Sequence, residues 1–127
     1  MTIRSLPRLA MVMALAAAGS ASAHAGLVAS TPAAAAFVAK PTRIVLTFSE
    51  KIFGVVSGAD LTMTSMPGMA THAPMKMTGF TAAISADGKT LTLLLKHPLP
   101  VGAYQVGWHV AGADTHHTQG QFAFTVK

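Results

Sequence analysis

Tyr104-Gln105-Val106-Gly107-Trp108-His109-Val110 alternates without a break: Tyr104, Val106, Trp108 and Val110 fall on one side, Gln105, Gly107 and His109 on the other. Period-two alternation of large apolar residues with small or polar ones is the pattern of a β-strand that buries one face. The same scheme recurs outward along the chain. Phe122, Phe124 and Val126 repeat it near the carboxy terminus. Ile44, Leu46 and Phe48 alternate with Val45, Thr47 and Ser49 across residues 43–50, and Leu91, Leu93 and Leu95 alternate with Thr92, Leu94 and Lys96.

Turn residues punctuate these strands. Ala86-Asp87-Gly88-Lys89 suits a tight hairpin joining a strand over residues 80–85 to the one beginning at Thr90, and Pro98, Pro100 and Gly102 separate that strand from the next. Weaker strands are expected over residues 26–30 and 59–63. After residue 23 no stretch of ten or more residues carries a helical stripe, and residues 33–39 are expected to form at most one helical turn after Pro32. Seven or so short strands in about a hundred residues imply an all-β fold, a single antiparallel β-sandwich or small barrel.

The amino-terminal stretch reads differently. Arg4 and Arg8 precede the apolar residues 9–18, and Ser20-Ala21-Ser22-Ala23 supplies an Ala-x-Ala site. This is the layout of a cleavable secretory signal peptide over residues 1–23, too short in its apolar part for a membrane span. The remainder, residues 24–127, has room for one domain and one core. Cleavage removes Arg4 and Arg8, so the nine Lys and Arg become seven against four acids, and the formal charge falls from +5 to +3. With no basic cluster or aromatic platform, a nucleic-acid partner is excluded. Cysteine is absent. An exported chain then has no disulfide staple, and soft metal ligation falls to methionine.

Cleavage after Ala23 would make His24 the first residue. An amino-terminal histidine offers a metal its free α-amine and an imidazole nitrogen in one chelate ring. Asp114-Thr115-His116-His117 lies between the Trp108 and Phe122 strands. In an extended segment Asp114 and His116 point the same way, while His117 points to the other side. Three nitrogens and one oxygen suit tetragonal Cu(II).

A second constellation is soft. Met63, Met66, Met69, His72, Met75 and Met77 fall within fifteen positions of a loop-like stretch, interrupted by Pro67, Gly68 and Pro74. Thioethers with an imidazole fit Cu(I) far better than Zn(II) or Mg(II). The competing reading is adaptable core filler. His109, on the polar face of its strand, reads as structural, and His97, before Pro98, as exposed and without a role.

The chain resembles the CopC family of periplasmic copper-binding and copper-resistance proteins over essentially all of residues 24–127. The matching features are His24-Ala25-Gly26-Leu27 with Ser30-Thr31-Pro32, then Leu46-Thr47-Phe48-Ser49-Glu50, then residues 85–91, 102–110, Asp114-Thr115-His116, and Gly120 leading to residues 122–126. The resemblance implies a Greek-key, cupredoxin-like (immunoglobulin-like) β-barrel or sandwich carrying Cu(II) through His24, Asp114 and His116. It sets Glu50 near that site as an axial oxygen or a brace for a ligand. Members with a methionine-rich loop also bind Cu(I), which carries over to Met63, Met66, Met69, His72 and Met75, with Met77 at the margin of the set. Here His72 stands one residue further from its preceding methionine than in the familiar form of that loop.

The function so implied is copper carriage and buffering in the periplasm, for copper homeostasis and resistance. Exchange would be with a membrane copper transporter of the CopD type or another periplasmic copper protein, without catalysis. The rivals are a copper-dependent oxidase or monooxygenase built on the amino-terminal histidine, and a metal-free β-sandwich interaction domain.

Overall fold

The computed structural model describes residues 24–69 and 73–127; residues 1–23, where the signal peptide is expected, lie outside them. Among the described residues the regular elements are all strands: β1 (Leu27–Thr31), β2 (Phe37–Val38), β3 (Arg43–Phe48), β4 (Gly58–Ser65), β5 (Met75–Met77), β6 (Phe80–Ile84), β7 (Thr90–Leu95), β8 (Gly102–Ala111) and β9 (His117–Val126). They form a four-stranded sheet in the order β1-β3-β7-β6 and a five-stranded sheet in the order β2-β9-β8-β4-β5. The architecture is therefore a sandwich of two sheets. Among the described residues no helix is long and apolar enough to cross a membrane.

The alternating residues meet between the sheets. Ile44, Leu46 and Phe48 of β3 and Leu91 and Leu93 of β7 join Leu61 and Met63 of β4, Tyr104, Val106 and Val110 of β8, and Phe124 and Val126 of β9 in one core. Each fully buried aliphatic or aromatic side chain contributes about 1.5–3 kcal/mol relative to exposure. Tyr104 is buried, stacks on Phe124 with ring centroids 5.6 Å apart, and donates its hydroxyl to the Pro100 carbonyl at 2.7 Å. Burial pushes its phenol up to about 12, so it stays a neutral donor.

Two local expectations change, and one segment gains a strand. Residues 33–39 hold a single turn, as expected, in which Ala35 takes φ 63° and its N–H donates to the Ala123 carbonyl at 2.7 Å. The chain then runs on as β2, parallel to β9, with Phe37 opposite Thr125. The methionine-rich stretch is not one loop either. Met63 belongs to β4, and Met75 and Met77 form the edge strand β5, in register with Met63 and Leu61. Last, residues 114–116 are not extended, since Thr115 has φ 65°.

The β8–β9 hairpin spans the molecule, with pairing from Gly102 opposite Val126 to Ala111 opposite His117. Gly120 faces Trp108 across it, and a Cβ at Gly120 would come 2.5 Å from the indole Cζ2. The indole has little room to yield, because it packs edge-on against Phe48 at 5.3 Å. Gly120→Ala should therefore lose about 1–3 kcal/mol by overpacking, read as a fall in thermal midpoint. An unchanged midpoint would show that the indole can move aside.

Candidate metal centre

Where the chain enters β1, three contacts fix its path. Ala25 is buried at 1% exposure. The Gly26 N–H donates to Ser49 Oγ at 3.0 Å, and the Ser49 N–H donates to the Gly26 carbonyl at 2.8 Å. The Thr118 hydroxyl of β9 donates to the Ala25 carbonyl. His24 is thus held at one end of the sandwich, tied to both sheets.

The β8–β9 connection meets it there. The Thr115 N–H donates to the Gly112 carbonyl at 3.0 Å, and the His116 N–H donates to Asp114 Oδ1 at 3.2 Å. The left-handed Thr115 between them turns the chain so that the Asp114 and His116 side chains meet, which extended alternation was expected to do. A β-branched residue with positive φ is strained, by roughly 1–3 kcal/mol. The turn is further braced by the bridge of Ile52 to Gly112 and by the Phe53 N–H on the Ala111 carbonyl at 3.0 Å.

One carboxylate oxygen then serves two imidazoles. Asp114 Oδ2 lies 2.7 Å from His24 Nδ1 and 3.0 Å from His116 Nδ1. The two rings sit edge to face with centroids 4.5 Å apart. The hydrogen bond from His116 is the main cause that holds the Asp114 carboxyl below its ordinary 3.8; burial opposes it, and the His116 N–H and the neighbouring imidazole charges assist. Ligand atoms of His24, Asp114 and His116 all lie within 4.8 Å of one another. Two nitrogens and one oxygen at that spacing fit a transition-metal ion, which would take the place of the imidazole protons that now face the carboxylate.

Glu50 does not enter this group: it is exposed just beyond β3 and outside the set of mutually close ligand atoms. His117 opens β9 and lines a shallow apolar hollow with Phe53, Val56 and Ala111. His109 is exposed on β8, its ring lying against Gly58. Sequence reasoning missed Ser49, Thr115 and Thr118. No local signal marks them, since each acts through a partner remote in sequence or through a backbone angle.

The soft donors divide. Met66 and Met69 bridge across a turn closed by the Met69 N–H on the Met66 carbonyl at 3.1 Å, with Pro67 and then Gly68 at φ 78°. Proline followed by a left-handed glycine is the signature of a type II turn. Met69 and Met75 are about half exposed. Met63, at 2% exposure, is core, while Met66 and Met77 are part-buried against it. Met63 is thereby removed from the accessible donors. His72 lies outside the described residues.

The two constellations occupy opposite ends of β8. Ala103 pairs with Ser65 beside the methionine turn, whereas Ala111 pairs with His117 beside the imidazole cluster. At about 3.3 Å per residue the length of the strand sets the ends roughly 30 Å apart.

Comparison with known proteins gives a consistent result. The family model of the CopC domain matches residues 27–127. The chain is 47% identical over 117 residues to copper resistance protein C of Xanthomonas campestris pv. juglandis, covering 92% of this chain and 91% of the relative. It is 44% identical over 108 residues to copper resistance protein C of Escherichia coli, covering 85% of each. The fold superposes with a TM-score of 0.74 on the crystal structure of PcoC, a methionine-rich copper resistance protein from Escherichia coli, at 41% identity, over 82% of this chain and 99% of that one.

The imidazole–carboxylate cluster has a defined acid limit. A carboxyl held below its ordinary value contributes stability that is complete above that value and is lost as pH falls through the lowered one. In metal-free protein the His116 ring resonances should therefore shift below about pH 4, and Asp114→Asn should abolish that limb. Persistence of the limb in the variant would assign it to another acid.

Proposed function

The chain belongs to the CopC family, and on that premise we propose that it is a periplasmic copper carrier and buffer serving copper homeostasis and resistance. The observation that carries this reading is the convergence of the His24 and His116 imidazoles on one oxygen of Asp114.

Cu(II) would be held by His24, Asp114 and His116. Export followed by cleavage after Ala23 would free the α-amine of His24, completing three nitrogens and one oxygen in the near-planar set that Cu(II) favours. The charge of the carboxylate offsets part of that of the ion, and binding releases the protons that the imidazoles and amine carry. Cu(I) would be held by Met66, Met69 and Met75, with His72 as the imidazole. The exposure of Met69 and Met75 supports this set.

A separation of roughly 30 Å along β8 argues against passing an ion between the sites within one molecule. Each end would instead exchange copper with its own partner, a membrane copper transporter of the CopD type or another periplasmic copper protein. The relatives carry names of copper resistance and not of a catalyst. Asp114 also fills a position that oxygen activation at copper would need open. The chain is read as a binding protein.

Electron paramagnetic resonance of the Cu(II)-loaded processed protein should show a tetragonal, nitrogen-rich signal. A form with one extra residue before His24 should lose or strongly alter it, and matching spectra would remove His24 as the anchor. Replacing Met66, Met69 and Met75 together by Leu should lower Cu(I) affinity and leave the Cu(II) spectrum unchanged. Met63→Leu should move stability alone. Unchanged Cu(I) affinity in the triple variant would sink the thioether site.

A further inference from the structure

β5 and β6, each an edge strand of its own sheet, leave a seam between them. A cavity of about 250 Å³ opens there, walled by Leu61, Phe80, Leu95 and Leu99, with Met77 and His97 among its lining residues. The backbone draws the last two together. The Lys96 N–H donates to the Gly79 carbonyl at 2.9 Å, so the residue after Lys96 is brought beside the segment that begins two positions beyond Met77. Met77 is part-buried against the core and His97 is exposed at the rim.

The donor set is selective. Among the described residues no carboxylate lines this cavity, so a hard divalent ion, which needs several oxygens, finds no such ligands among them. A thioether and an imidazole suit a soft ion of low coordination number, and a single positive charge is less costly than a double one to hold against apolar walls. We infer that Met77 and His97 form a separate site for a soft monovalent cation, Cu(I) being the natural case, at the β5–β6 seam. This site needs neither a processed amino terminus nor the Met66–Met69 turn. It therefore shares no ligand with either site proposed above, and it gives His97 the role that sequence reading denied it.

The test uses Ag(I) as a redox-inert probe. The protein carries Met66→Leu, Met69→Leu, Met75→Leu and His72→Ala, with the methionine methyls labelled with carbon-13, and is followed by nuclear magnetic resonance. The Met77 methyl and His97 ring resonances should move together and saturate together, while the Met63 methyl stays fixed. Adding His97→Ala should weaken silver binding read at the Met77 methyl by on the order of tenfold or more. Adding Met77→Leu, which keeps the apolar volume, should likewise remove the His97 response without unfolding. A Met77 methyl that does not move overturns the site, as does one that responds equally without His97. Silver at His24 or His116 would register on those rings alone, so failure of the terminal site remains distinguishable.

Discussion

Burial of alternate residues of β8 is the constraint on which the remainder of this protein depends. Tyr104, Val106 and Val110 stand between the sheets against Ile44, Leu46, Leu91 and Leu93, and slipping the strand by one residue would exchange that face for Gln105, Gly107 and His109. The register with β4 on one side and β9 on the other is therefore fixed. Because β8 is the longest element together with β9, that register also fixes what lies at the two ends of the sandwich. Gly120 opposite Trp108 is part of the same fit, since the indole occupies the space where any side chain would stand.

The two ends differ in chemistry. One gathers imidazole and carboxylate, with Asp114 Oδ2 accepting from both His24 and His116. The other presents thioethers on a tight Pro67-Gly68 turn and on an edge strand that needs no deep core of its own. On the proposed function, hard and soft donors kept apart in this way would hold two oxidation states of one metal without imposing a single geometry on both. The hydrogen bonds between Thr118 and Ala25 and between Gly26 and Ser49 give His24 an anchorage in both sheets. On the proposed function that anchorage would conserve affinity, since a flexible segment would have to lose its freedom on binding.

Much of the fold was legible because its signal is local. The strands containing Ile44, Leu91, Tyr104 and Phe124 alternate strictly, and the hairpin at Asp87-Gly88 has the turn residues its geometry requires. The two-residue β2 has no such pattern; it exists because Ala35 turns left-handed and the backbone of β9 offers free partners. The cluster of methionines misled for a related reason. Composition groups Met63, Met75 and Met77 with Met66 and Met69, but Met63 is buried in β4 and Met66 and Met77 pack against the core, while Met69 and Met75 stay about half exposed.

The all-β class, the faces of the main strands and the residue types from which a copper site could be drawn were readable from the amino-acid order alone, because periodicity and donor chemistry are properties of neighbours along the chain. Tertiary structure decided which donors meet. His24 and Asp114 are ninety positions apart and come within 2.7 Å only because β1 pairs with β3 while Thr118 of β9 reaches Ala25. The positive φ of Thr115 and the shared cavity of Met77 and His97 likewise follow from how two sheets close on each other. No local pattern encodes that closure, since it is set by the summed packing of residues far apart in the chain.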